Sequence, residues 1–155
     1  HEVEICRRFS RLERYFPFVT SCNQAYTTAG RATGTRWCGD CPKCRFVFLG
    51  LAPFLLPDRL IGIFEGRDLL AEVGSVDGYR SILGLGGEAP LECVGTTRES
   101  KWAMARLADL EEWREHAVVS ALAAEIDVVP GWNPLFERGD HHVPESWLAV
   151  LDALA

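Results

Sequence analysis

Four cysteines carry most of the chemistry this sequence can offer. Cys22, Cys38, Cys41 and Cys44 fall in one short stretch, and the last three follow at two-residue spacing in Trp37-Cys38-Gly39-Asp40-Cys41-Pro42-Lys43-Cys44. Thiolates so spaced can turn inward on one tight loop, and a distant fourth sulfur can complete a tetrahedron around zinc. With every position filled by protein, no place is left for a reacting water, so such a site is structural. The alternatives are four unrelated reduced thiols or two disulfides. Lys43 and Arg45 flank the last cysteine. They could bind an anion such as a phosphate or carboxylate at a helix start, or offset the double negative charge of four thiolates on one dication.

Two further pairs draw attention. Glu92-Cys93, between Pro90 and Gly95, sets a carboxylate beside a thiol and could serve acid–base chemistry. The plainer reading is a buried thiol next to a surface charge. His141-His142 lacks a third ligand at suitable spacing and reads as an exposed turn or a ligand-contacting loop. The sequence contains no Gly-x-x-x-x-Gly-Lys-Ser/Thr loop, no Gly-x-Ser-x-Gly elbow and no His-Glu-x-x-His pair.

The elements that must position these groups read as helices. Ile5, Phe9, Leu12 and Phe16 form a stripe that predicts a helix over residues 2–16, stopped by Pro17. Cys6 beside it reads as a small buried hydrophobe. Phe18-Val19-Thr20 predicts a short strand. Residues 46–56 are apolar on every face, which predicts a buried central helix starting at the last cysteine. Short helices are expected over 58–64, over 68–73, and from an N-cap at Ser75 to Leu83, ahead of the breaker Gly84-Leu85-Gly86-Gly87. Thr96 and Glu99 have the spacing of a capping box. Ala103, Leu107 and Leu110 should face inward on the helix they open, and Val119, Leu122 and Ile126 on a helical stretch over 111–126. Trp132, Leu135 and Phe136 should anchor a loop-rich tail. Pro144 opens a last helix with Trp147, Leu148, Leu151 and Leu154 on its apolar face. The fold class is mainly α, a compact irregular helical domain around a four-cysteine zinc loop.

At 155 residues and 48% hydrophobic content the chain can build one core. Its net charge of −6 argues against a general nucleic-acid partner. The longest apolar run, 46–56, is about half of what a bilayer requires, so no membrane partner is expected. Clustered cysteines without a secretory signal point to a reducing, cytoplasmic setting. The chain opens on His1 and runs directly into helical sequence, which suggests a fragment. Residues 1–20 would then be the end of a missing N-terminal α/β domain, and 21–155 the C-terminal zinc-loop and helical domain.

Ser21-Cys22-Asn23, Trp37 through Phe48, Leu51-Ala52-Pro53-Phe54-Leu55, Ile63-Phe64, Leu83-Gly84-Leu85, Glu92-Cys93-Val94-Gly95 and Val143-Pro144-Glu145 together resemble the C-terminal part of the bacterial UDP-N-acetylmuramoyl-L-alanyl-L-glutamate epimerases. The cysteine module is also similar to that of the 7-cyano-7-deazaguanine synthases, which are ATP pyrophosphatase-type enzymes. Both resemblances imply a larger enzyme with an N-terminal α/β nucleotide-binding domain. The first implies ATP- and Mg²⁺-dependent inversion of the terminal L-glutamate of a UDP-muramoyl dipeptide for peptidoglycan, with structural Zn²⁺ and with Cys93 or Glu92 among the proton-transfer groups. Lys43 and Arg45 would then be cofactor-binding, with most ATP contacts lying outside this fragment. A non-catalytic zinc-stabilised binding module is the reading from a different class.

Overall fold

From Phe46 on, α2 (Pro42–Leu51) carries no polar residue, and a stretch of helix without a polar face has to be surrounded. Phe46, Phe48, Leu49 and Leu51 are buried along it. Around it pack α1 (Glu2–Phe9), α4 (Val76–Ile82) and α5 (Thr97–Ala108). Helix α3 (Pro57–Ile63) follows a 3₁₀ turn at Ala52–Phe54, and α6 (Ala117–Leu122) packs on α4 and α5. The last element is α7 (Glu145–Ala153). The computed structural model describes residues 1–27, 34–86, 94–135 and 143–153, and among these no strand occurs. The mainly helical expectation holds. No helix among the described residues is long and apolar enough to cross a membrane. One core joins Cys6 and Phe16 from the first twenty residues to Cys22, Cys44 and the later helices.

Several local expectations are revised. Helix α1 stops at Phe9, where the Ser10 hydroxyl donates to the Arg7 carbonyl at 2.8 Å and competes with continued helix. Its buried residues are Val3 and Cys6, whereas Ile5 is 59% exposed. The rotation follows from a notch on α2: a Cβ at Gly50 would sit 2.9 Å from Cys6 Sγ. Cys6 is the small buried hydrophobe expected, and burial pushes its thiol up to about 12. The short strand at 18–20 is not formed, because the amides of Phe18 and Val19 turn back to the Tyr15 carbonyl.

The central helix begins at Pro42, two residues before the last cysteine, and gives way to the 3₁₀ turn that contains Pro53. Residues 58–64 are helical nearly as predicted. Residues 68–73 are not, because the Asp68 carboxylate accepts the amides of Leu70 at 3.0 Å and Ala71 at 3.2 Å. Such a local bond offers the backbone an alternative to helix. Ser75 stands at the N-cap of α4 without a side-chain cap bond. The stretch 111–126 breaks up: α6 starts only at Ala117, and the Val118 amide bonds the Leu70 carbonyl at 3.0 Å. The capping box forms as expected. Trp132 is buried and Leu135 half-buried, while Phe136 lies outside the described residues. Trp147 on α7 is 61% exposed rather than inward-facing.

Candidate metal centre

The cysteine loop closes on itself. One sulfur from each of Cys22, Cys38, Cys41 and Cys44 lies within 4.8 Å of the others. Sulfurs about 2.3 Å from a central zinc form a tetrahedron with edges of about 3.8 Å. The Cys38 and Cys44 sulfurs are 3.8 Å apart, and those of Cys41 and Cys44 3.5 Å. All four are free thiols, so the two-disulfide alternative does not apply. The donor set and its size fit a metal ion.

Local sequence explains how the sulfurs converge. Gly39 takes φ +73°, a left-handed value that glycine adopts without steric cost. Cys41 is extended, at φ −74° and ψ 157°, and serves as N-cap of α2 with Pro42 at the first helical position. Its sulfur accepts the Cys44 amide at 3.5 Å. The Cys38 sulfur accepts the amides of Asp40 at 3.5 Å and Cys41 at 3.3 Å, and the Cys22 sulfur accepts the Cys38 amide at 3.3 Å. Amide donors of this kind favour thiolates and orient them. Upstream, Thr20 Oγ1 donates to the Arg36 carbonyl at 2.5 Å and accepts the Cys22 amide at 3.2 Å, drawing the two arms of the loop together.

Aromatic packing fastens the loop to the core. Trp37 stacks on Phe64 at 4.3 Å; Phe64 meets the edge of Phe48 at 4.9 Å, and Phe48 that of Trp113 at 6.1 Å. Trp113 in turn donates its indole N–H to the Leu55 carbonyl at 3.2 Å.

The sulfurs compete for charge. The Cys44 sulfur facing it, then the Cys44 amide, pull the Cys41 thiol below its usual value. Its own bond to Cys41 and its burial push Cys44 far up, and burial raises Cys38. Four thiolates packed this closely would set like charges against one another. A dication at their centre would remove that penalty, because metal binding and thiol ionisation are linked.

The flanking cations go to different neighbours. Lys43 is half-buried beside an apolar cavity of about 230 Å³ between α1 and α2, lined also by Ile5, Phe9, Trp37 and Val47. Arg45 pairs with Asp40, and its guanidinium lies where a Cβ of Gly78 would be. Glu92 and Cys93 lie outside the described residues, as does His141-His142. Their neighbour Gly95 is buried, and a side chain there would collide with the Phe46 ring on α2.

Sequence reasoning passed over Arg67, which donates from Nη1 to the Cys38 carbonyl. It comes 29 residues after that cysteine, and no spacing rule connects them. The available hint was Gly39, since a glycine between two ligands often marks a close approach.

The family model described as the MurL C-terminal domain matches residues 18–133. The UDP-N-acetyl-alpha-D-muramoyl-L-alanyl-L-glutamate epimerase of a Micromonospora species is 43% identical, over 97% of this chain and 34% of the relative. Its namesake in Salinispora tropica is 49% identical, over 83% of this chain and 27% of its own length. The one in Xanthomonas oryzae pv. oryzae is 40% identical, over 94% and 33%. The chain spans about a third of the length of these relatives. No solved structure matches it.

Proposed function

Because the chain belongs to the family of the MurL C-terminal domain, we propose that it is the C-terminal region of an epimerase converting the terminal L-glutamate of UDP-MurNAc-L-Ala-L-Glu to D-glutamate in peptidoglycan synthesis. The match over residues 18–133 carries this reading, and three relatives bear that activity in their names. The whole enzyme uses ATP and Mg²⁺, bound mainly by parts other than this chain. It is cytoplasmic, where a thiolate centre stays reduced.

A proton on carbon beside a free carboxylate is barely acidic, since its removal sets a second negative charge next to the first. ATP supplies the activation that masks the carboxylate. One group then removes the α-proton and another returns a proton on the opposite face. Glu92 and Cys93 are the groups this chain offers for that exchange. Gly95, two residues on, is seated on Phe46 of α2, the helix begun at the cysteine centre.

Cys22, Cys38, Cys41 and Cys44 hold one structural Zn²⁺, which keeps the start of α2 in place and takes no part in proton transfer. Lys43 and Arg45 supply positive charge around it, and Lys43 remains available to an anionic cofactor group.

The full-length enzyme incubated with the L-glutamate dipeptide nucleotide and ATP should yield the D-isomer, read by chiral analysis of hydrolysed product. No D-glutamate under those conditions would sink the assignment. Cys93→Ala should abolish turnover while leaving zinc content unchanged; wild-type turnover would remove that thiol from the mechanism.

A further inference from the structure

The cysteine loop is gripped from outside by two arginines, and the backbone shows where each grip was built. Just past α3 and its C-cap Phe64 come two successive left-handed residues, Glu65 at φ +58° and Gly66 at φ +88°. A non-glycine residue in that region carries strain, which persists only where the surroundings hold it. Here both flanking side chains reach the loop. The Glu65 carboxylate accepts the Arg36 amide at 3.1 Å and Arg36 Nε at 3.2 Å, on the arm leading into Cys38. Arg67 donates to the Cys38 carbonyl and lies where a Cβ of Gly39 would be. Gly39 is thus required twice, by its φ of +73° and by the guanidinium against it.

The second grip comes from the opposite side. Arg45 lies one residue past Cys44 on α2, pairs with Asp40 inside the loop, and rests against Gly78 of α4. Its side chain is 13% exposed. Arg45 Nε and the hydroxyl of fully buried Tyr79 have no hydrogen-bond partner among the described residues. Burying a cation this far is unfavourable unless an anion repays it. Asp40, 87% exposed, is a weak repayment. A tetrathiolate centre with a net negative charge, held by the preceding residue of the helix, is a stronger one.

We propose that Arg67 and Arg45 are outer-shell positioning residues of the metal centre. They offset the charge of the four thiolates and fix the Cys38–Cys41 turn, so that the chain retains its ion. The inference rests on the zinc reading given above. Their signature, as positioning residues of the metal centre, is metal affinity and not turnover.

The test measures zinc affinity of the full chain by competition with a chromogenic chelator, and the thiolate-to-cobalt charge-transfer band after cobalt substitution. Loss of an outer-shell partner commonly costs about 10–100-fold in affinity. Arg67→Gln should fall in that range, Arg45→Gln near its lower end, and Arg67→Lys between Arg67→Gln and wild type because it keeps charge without the planar fork. Arg59→Gln removes the same charge from the exposed pair with Glu13 and should bind as wild type. Wild-type affinity and an unchanged cobalt band in both Arg67→Gln and Arg45→Gln would overturn the proposal. So would an equal loss in Arg59→Gln, which would signify net charge alone. A wild-type chain with four reduced thiols that binds no zinc would instead overturn the metal reading beneath it.

Discussion

Helices α2 and α5 pack against each other, yet their first turns are fixed by different chemistry. The start of α2 is held by sulfur: Cys41 caps it, Cys44 lies in its first turn, and both belong to the four-thiol group. The start of α5 is held by oxygen. Thr96 and Glu99 form a reciprocal capping box, and the Glu99 carboxylate, 2% exposed, also accepts the Val3 amide of α1 at 3.2 Å. Each device ties a distant piece of chain to a helix start, Cys22 in one case and α1 in the other. They differ in what they need. The oxygen device is complete with protein groups alone, whereas four thiolates in the sulfur device would need a cation from outside. On the zinc reading, one end of the core would depend on an ion and a reducing environment, and the other would not.

Substitutions should expose this asymmetry. Cys44→Ser should have the largest effect: apparent binding energies of structural zinc reach about 10–16 kcal/mol, so the variant should lose zinc and cooperative thermal unfolding. Adding chelator to wild type should reproduce the change. If metal-free wild type melted like the loaded protein, the contrast between the two helix starts would collapse. Glu99→Ala leaves the Thr96 and Val3 amides without their acceptor and should cost about 2–4 kcal/mol in chemical denaturation, with zinc content intact. Zinc loss in that variant would show that the ends are not independent.

Gly39→Ala should cost about 1–3 kcal/mol through its positive φ and the displaced Arg67, and zinc release should quicken. The smallest effect concerns α1. Bonds from Arg7, then Arg8, hold the Glu4 carboxyl down at about 2 against an ordinary 4.5. A lowered carboxyl contributes stability above its unfolded value that is lost as pH falls through its folded value, here between about 4.5 and 2. These are i,i+3 and i,i+4 pairs on one helix, so Glu4→Gln should cost no more than about 1 kcal/mol at neutral pH and flatten that part of the acid-denaturation curve.

Both helix starts were legible before any coordinates, because their signals are short-range. Cys-x-x-Cys-x-x-Cys and Thr-x-x-Glu each name a geometry that a few residues can complete. The buried centre of α2 was legible for a related reason, since an apolar surface on all sides permits only one environment. What periodicity could not supply was the choice between two stripes on α1. Ile5 and Val3 are equally apolar, and the notch at Gly50 that selects Cys6 belongs to another helix. The same holds for Asp68, whose carboxylate replaces the expected helix with a turn. It holds also for Arg67, whose role depends on two left-handed residues just past the end of α3.

The two arms of the cysteine loop meet through Thr20 with Arg36 and through Cys22 with Cys38, while fifteen residues of chain separate the first two cysteines. A tether closed at its ends is nearly indifferent to the length between them: the entropy of closure grows only logarithmically, so doubling the connection costs about 0.6 kcal/mol. By that term alone, lengthening the connection ahead of Arg36 and Trp37, which Glu65 and Phe64 hold to the fold, should cost little.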